Sequence, residues 1–438
     1  MIETLRNAWK IEDLRGKMIY TLMILVIVRV GSAIPVPFMD PGLLAGMMGQ
    51  GGSLLGYLDI LTGGAFSNAT LFALSISPYI TSSIVIQLLT VAIPALERMQ
   101  KEGEEGQNKL KKITRYTTVA LALIQAGAYY LMYRNWNALT YTSGFEGVLA
   151  AVVIISALTA GASLVVWLGE RIDQRGIGNG ISLILFAGIV SRGPSAILTL
   201  YNYIAYNAIA LGQIQYYFFV PAIVIVFLAL ISFIVLMTNA ERRIPVQYAK
   251  RVVGRKMYGG QSTHIPIKVN MSGVLPVIFS SSFLAIPGTV RGFMAAPTST
   301  SGFYAGFYNV LGWFNYNTPL YAILYFLLIL AFNYFYVSIQ YNPIEISNNL
   351  RKNNGTIPGM RPGKPTADFI AKIISKITLV GGLFLAFIAI LPILLGAVSG
   401  INIALGGTSI IILVGVALDT VRSLESQMMM RHYKGFLE

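Results

Sequence analysis

Cysteine is absent from the 438 residues and histidine occurs only twice. The first absence excludes disulfides and thiolate metal sites. The second bears on catalysis: His264 and His432 both fall in polar segments, so a Ser-His hydrolase working inside a membrane would have no base at depth. Charge is also scarce, at 11% of residues against about 25% in soluble domains. Of the 18 Asp and Glu, those that touch a long apolar run are Glu170 and Asp419, each at the end of a run, and Asp59 in an interrupted one. An ion-coupled solute carrier ordinarily needs an ionisable group near the bilayer midplane, and none stands there. The carrier is the alternative against which other readings are weighed.

Apolar residues abound. They make up 55% of the chain, the composition of a polytopic membrane protein. A hydrocarbon core of roughly 30 Å takes about 20 apolar residues per helix. Runs of that kind lie near 18–35, 71–93, 115–133, 148–169, 181–199, 217–238, 271–290, 319–339, 373–395 and 403–421, ten in all. The fifth, ISLILFAGIVSRGPSAILTL, is interrupted by Arg192, Gly193 and Pro194, so a strict hydropathy cut returns nine. Every peptide group in lipid needs a partner, which makes these spans helices, and the alternation of barrel strands does not occur. The expected fold class is all-α.

Orientation follows from the basic residues. With the N-terminus, alternate loops and the C-terminus on one side, all but Arg29, Arg134, Arg192 and Arg291 of the 32 Lys and Arg gather there. By the positive-inside rule that side is cytoplasmic and holds both termini, as the even number of spans also requires. The opening IETLRNAWKIEDLRGK is amphipathic, and the apolar run behind it carries Arg29 and ends in IPVP. This suits a helix lying on the inner surface rather than a cleavable signal.

Two cytoplasmic loops, 239–273 and 340–370, are longer than connecting helices requires. The first carries Arg242, Arg243, Lys250, Arg251, Arg255, Lys256 and Lys268; the second carries Arg351, Lys352 and Arg361. Such charge anchors topology and meets anionic lipid, and it equally suits an anionic partner such as RNA. The turns RKNNG and PGMRPG fit hairpin tips projecting into water, which favours a docking surface.

The stretch YLDILTGGAFSNATLFALSISPYITSSIVIQLL opens with an apolar piece too short to cross a bilayer. Beginning on the outer side, it must turn back under cover, because re-entrant backbone survives at membrane depth only inside a protein cavity. The re-entrant segment is about 54–69, built on Leu54, Leu55, Tyr57, Leu58, Ile60 and Leu61, with Gly63 and Gly64 as the hinge. The helix behind it bears two stripes of period four, Ile76, Ile80, Ile84 and Tyr79, Ser83, Gln87. A lipid-facing surface has no use for Gln87, so this helix either faces a wet interior or packs on another through its hydroxyls. Asn179, in GIGNGI, reads as the N-cap of the fifth span. A phosphate-binding reading of those glycines fails because no strand precedes them and no P-loop lysine follows. No cofactor is expected.

GERIDQRGIGNGISLILFAGIV, YAKRVVGRKMYGGQSTHIPIKVNMSGVLPVIF, YNPIEISNNLRKNNGTIPGMRPG and LGGTSIIILVGVALDT, with GSAIPVP, LTGGAFSNATLFALSISPYITSSIVIQLLT and KEGEEGQNKLKKITRY, resemble the signature segments of the SecY family in their order. The resemblance implies ten transmembrane helices in two pseudo-symmetric five-helix halves, 1–200 and 201–438, closing as a clamshell around a protein-conducting channel. Such a channel is not an enzyme. It passes secretory polypeptides across the bacterial plasma membrane and membrane segments sideways into it. The re-entrant segment would be the plug. The pore ring carries over to Ile76, Ile80, Ile181, Leu185, Ile278 and Ile412, with Leu185 departing from an isoleucine-rich pattern. A lateral gate would lie between the second and seventh helices, with Thr81, Ser83 and Gln87 facing Ile286. Implied partners are SecE and SecG, a SecA motor and the ribosome on the basic loops, signal sequences and nascent polypeptides, and anionic lipids.

Overall fold

Lipid offers a peptide group no partner from solvent, so long apolar runs close their hydrogen bonds as helices. The computed structural model describes residues 2–40, 42, 59, 62–210, 214–248, 251–253, 256–258, 262–294, 302–314, 318–399 and 407–434. Six segments are long and apolar enough to cross a membrane: Gly144–Arg175, Gly180–Tyr206, Gln215–Asn239, Pro319–Lys352, Lys364–Gly396 and Gly407–Met429. A seventh is the pair Ser77–Ala92 and Pro94–Lys101, bent by 101° at Ile93, whose backbone is extended before the proline.

The three other expected spans fall on the helices Glu12–Gly31, Glu104–Asn135 and Leu275–Phe293. The first two open with charged turns, and the apolar part of the third is only Leu275–Gly288. Length and composition therefore carry six or seven crossings among the described residues, against ten expected. The interruption at Arg192 has a definite form. Gly180–Ser191 ends there, Gly193–Asn202 starts with Pro194 in its first turn, and a π-helical stretch Tyr203–Ala210 follows.

Three apolar cores organise these helices. One is built by Val36, Phe66, Leu74, Tyr133, Ile154 and Leu158, all from the first 200 residues. A second, with Leu230, Ile234, Val277, Ile329, Leu385 and Ile411, comes wholly from the remainder. The third joins Ile24, Val28, Val165 and Ile189 to Ile412 and Val416. The two parts of the chain meet where Gly180–Ser191 touches Gly407–Lys434, and where Leu275–Phe293 touches both Ser77–Ala92 and Glu104–Asn135.

Within each part, polar contacts and small residues also bring segments close together. Buried Asn333 accepts from the Ser272 hydroxyl at 2.5 Å and donates from Nδ2 to the Thr378 carbonyl at 2.7 Å. Gly161 lies so close to the carbonyl of Leu71 that a Cβ there would overlap it.

The all-α expectation omits a small sheet. The first basic loop contains Glu241–Tyr248 (β1), Arg251–Val253 (β2), Lys256–Tyr258 (β3) and Ser262–Lys268 (β4), and the second contributes Gly355–Thr356 (β5). β1 pairs antiparallel with β4 from Glu241↔Lys268 to Gln247↔Ser262, and its far end pairs with β5 at Gln247↔Thr356 and Tyr248↔Gly355. β2 and β3 form a separate hairpin. Ile244, Val246 and Ile267 pack against Leu350, Ile357, Ile370 and Ile374, so the two loops share one core. At the chain ends, the helix Ile2–Lys10 buries Ala8 with Leu14, Ile177 and Leu424. The Thr4 hydroxyl donates to Glu425 at 3.2 Å, and Lys17 Nζ donates to Gln427 at 3.1 Å.

The contact at Gly161 makes a stability prediction. Gly161→Val should cost about 1–3 kcal/mol by overpacking and lower the melting temperature in detergent. Gly127→Val, where a Cβ meets nothing within 4 Å, is the control and should change stability by no more than about 0.5 kcal/mol.

Candidate pore, plug and gate

Branched aliphatic side chains gather where helices from both parts of the chain converge. Ile76, Leu185 and Ile412 are buried members of one cluster, and Ile80, Ile181 and Ile278 pack partly buried against it. They come from four places: the N-cap and first turn of Ser77–Ala92, the start of Gly180–Ser191, the first turn of Leu275–Phe293, and Gly407–Lys434. All six residues expected in the ring are thus brought together. A collar of this composition, once narrow, excludes water and ions without offering a directional bond. Asn179 caps Gly180–Ser191 as expected, its Oδ1 accepting from the Ser182 N–H at 3.0 Å. Asp173, which sequence reasoning passed over, adds a second anchor by accepting from the Gly180 N–H at 2.7 Å.

The glycine hinge is polar where the sequence looked apolar. Gly63 and Gly64 take φ of +65° and +93°, a region that side chains disfavour. Asp59 is buried and forms an ion pair with Arg192, while its Oδ1 accepts from the Ser67 N–H at 2.8 Å. Arg192 also lies 3.4 Å from the Ser67 hydroxyl. From the Glu12–Gly31 helix, Arg29 donates to the Gly63 carbonyl at 3.1 Å. A Cβ on Gly63 would strike Arg29, and one on Gly64 would sit 3.0 Å from Arg192. Phe66 closes the turn against Tyr129, with ring centroids 5.1 Å apart. Leu54, Leu55, Tyr57, Leu58, Ile60 and Leu61 lie outside the described residues. Arg29 and Arg192 are two of the four cations on the sparsely charged side. That fact, with a lone aspartate in an apolar stretch, was the clue in the sequence.

The expected gate residues divide. Thr81 is half-buried, with its hydroxyl donating back to the Ser77 carbonyl at 3.1 Å, and Ile286 on Leu275–Phe293 is exposed. Ser83 and Gln87 line a cavity of about 170 Å³ with Tyr79, Thr90, Lys111 and Thr114, between Ser77–Ala92 and Glu104–Asn135. The buried Ser82 hydroxyl donates to the Thr114 carbonyl at 2.8 Å and ties the same two helices together.

The basic surface rests on the shared sheet. Arg242 and Arg243 are exposed on β1, and Arg243 pairs with Glu241 at 2.7 Å. Arg351 and Lys352 are exposed in the last turn of Pro343–Lys352. Arg361 is exposed on a turn fixed from both sides. Its carbonyl accepts from Thr366 at 2.8 Å, and the Gly363 carbonyl accepts from Ser347 at 2.9 Å. Arg251 and Lys256 belong to the β2–β3 hairpin; Lys250 and Arg255 lie outside the described residues.

The SecY family profile matches residues 70–421. The protein translocase subunit SecY of Streptomyces scabiei is 41% identical over 451 residues, covering 100% of both chains. That of Thermotoga maritima is 39% identical over 448 residues, covering 100% of this chain and 98% of its own. Among solved structures, a protein-conducting channel aligns with a TM-score of 0.61 at 19% identity, covering 94% of this chain and 92% of its own. Canine Sec61 in a ribosome–channel complex aligns at 0.57 and 18% identity, with the same coverage.

Replacing Ile80 and Ile278 together by Ser puts hydroxyls among the six aliphatic side chains. In planar bilayers the idle double variant should pass small ions where the native chain does not. Unchanged conductance would remove both residues from the seal.

Proposed function

The chain belongs to the SecY family, and from that premise we propose that its two halves close as a clamshell around the aliphatic collar. As a family member it is a subunit of a protein-conducting channel, a multi-pass membrane protein, and the ion-coupled carrier is set aside. Secretory polypeptides cross through the collar, and transmembrane segments leave it sideways. The observation that carries this reading is the cluster holding Ile76, Ile80, Ile181, Leu185, Ile278 and Ile412, drawn from both parts of the chain. A translocating chain presents every kind of side chain in turn. An apolar collar can part around any of them because it forms no bond that must be broken.

The halves are 1–200 and 201–438, with ten transmembrane helices in all. Cores confined to each part and a third shared between them support that division. The re-entrant segment about 54–69 is the plug, its turn held at Gly63 and Gly64. The seam that opens lies between Ser77–Ala92 and Leu275–Phe293, which are in contact. The membrane is the bacterial plasma membrane and both termini are cytoplasmic. The basic-residue count and the packing of Ile2–Lys10 on the last helix support this placement.

The chain carries no nucleotide motif, so the driving energy enters from a partner. Canine Sec61 and yeast Ssh1 are known in ribosome-bound complexes, and the exposed arginines of the shared sheet and its turn offer this chain a similar surface. A SecA motor takes the same face, SecE clamps the halves, SecG joins them, and anionic lipids surround the cytoplasmic rim.

Two experiments test the reading. The native chain lacks cysteine, so Thr81→Cys with Ile286→Cys introduces the only thiol pair, and efficient oxidation requires Cα atoms within about 7 Å. The disulfide should abolish export in reconstituted vesicles, and reduction should restore it; export that continues through a quantitative crosslink overturns the gate. Arg361→Glu should leave insertion unchanged and slow export several-fold. If export is unaffected by this substitution and by Arg255→Glu with Lys256→Glu, the basic loops are not the dock.

A further inference from the structure

The charges around the glycine turn do more than the topology of the chain asks of them. Arg29 ends a helix in the first part of the chain, Arg192 sits at the break between Gly180–Ser191 and Gly193–Asn202, and both reach the same turn. Asp59 pairs with Arg192 there, its side chain 12% exposed and that of Arg192 25% exposed. The Asp59 carbonyl accepts from the Gly64 N–H at 2.9 Å and from the Thr62 hydroxyl at 3.1 Å, so the aspartate and the glycine turn move as one piece. The arginines belong to two other elements. Any displacement of the turn must therefore break the Asp59–Arg192 pair and the bond from Arg29 to the Gly63 carbonyl at the same moment.

We propose that Asp59, Arg192 and Arg29 form an electrostatic latch that holds the turn in its resting place and sets how readily the channel opens. The proposal rests on the channel reading above and adds residues that the ring, the hinge and the gate do not include. Its strength depends on state. In the resting arrangement the charges face each other with little water between them, where attraction is strong. On displacement each is hydrated and the attraction falls, so the pair biases the closed state. The latch is also built to release. Arg192 Nε is buried without a hydrogen-bond partner, and Arg29 is held by a backbone carbonyl, a weaker acceptor than a carboxylate. A fully satisfied knot would hold more firmly.

The test uses the full-length chain in planar bilayers and in vesicles, with precursors carrying an intact or a deleted signal sequence. Asp59→Asn and Arg192→Gln should each raise idle ion conductance and signal-independent export about tenfold, a shift of about 1.4 kcal/mol in the closed–open balance. The double variant should be no leakier than either single one, since both remove the same interaction. Wild-type conductance in both single variants overturns the latch, and so does a double variant whose leak is the product of the two. Should a neutral variant fail to accumulate in membranes, Arg29→Gln, which leaves the ion pair intact, carries the test. A smaller leak supports the latch, and none overturns it. If the native chain itself translocates no precursor, the channel reading fails; if it translocates while the variants match it, only the latch fails.

Discussion

A polar group in a membrane must have a partner inside the protein, and most of this structure follows from that constraint. It closes each apolar run into a helix. It explains why Asn333 uses both ends of its amide on Ser272 and Thr378. It also explains the re-entrant turn. Backbone that leaves the helical path at Gly63 exposes carbonyls, and Arg29 answers one of them. The proposed collar gathers aliphatic side chains from both parts of the chain, where a bond to a neighbour would hinder parting.

Seen mechanically, the proposed gate is a contact between units of unequal firmness. Ser82 binds Ser77–Ala92 to Glu104–Asn135 through a buried hydrogen bond, so those two helices behave as one wall. Leu275–Phe293 touches both of them and belongs through Ser272 and Asn333 to the other half. Under the reading proposed above, opening draws Leu275–Phe293 away from the pair together, rather than peeling Ser77–Ala92 from its neighbour. Ser83 and Gln87, whose stripe suits either a wet interior or packing through hydroxyls, line the cavity between those two helices.

The collar was legible through the family resemblance, which names all six positions, whereas the period-four stripe marks only Ile76 and Ile80 of them and adds Ile84, which is not one. Helix ends were legible for a local reason: Asn179 before an apolar run is a cap whatever surrounds it. The sheet shared by the two basic loops was not. Its register joins Gln247 to Thr356 across more than a hundred residues, and no local pattern encodes a pairing between two loops. The span count was blurred for a physical reason too, since Glu12–Gly31 and Glu104–Asn135 carry charged first turns that dilute their hydropathy. Asp59 and Arg192 are visible as isolated charges, but their partnership across 133 positions exists only in the fold.

Collar and latch divide one task by their chemistry. A seal that must admit any sequence has to be indifferent, and indifference comes from apolar surface, whose attraction is non-directional and spread over many weak contacts. Such a seal can keep ions out, yet it cannot hold one geometry against thermal motion, because sliding aliphatic surfaces past one another costs little. Holding requires a directional interaction that is lost within an ångström or two of displacement, and buried charge supplies it. The two must also be kept apart, since a charge inside the collar would hydrate it and bind passing side chains. In this chain Asp59, Arg29 and Arg192 meet at the glycine turn, and Ile76, Ile80, Ile181, Leu185, Ile278 and Ile412 belong to a separate aliphatic cluster. Under the proposed reading, that separation lets the closed state be both tight and specific while the collar itself stays free of fixed charge.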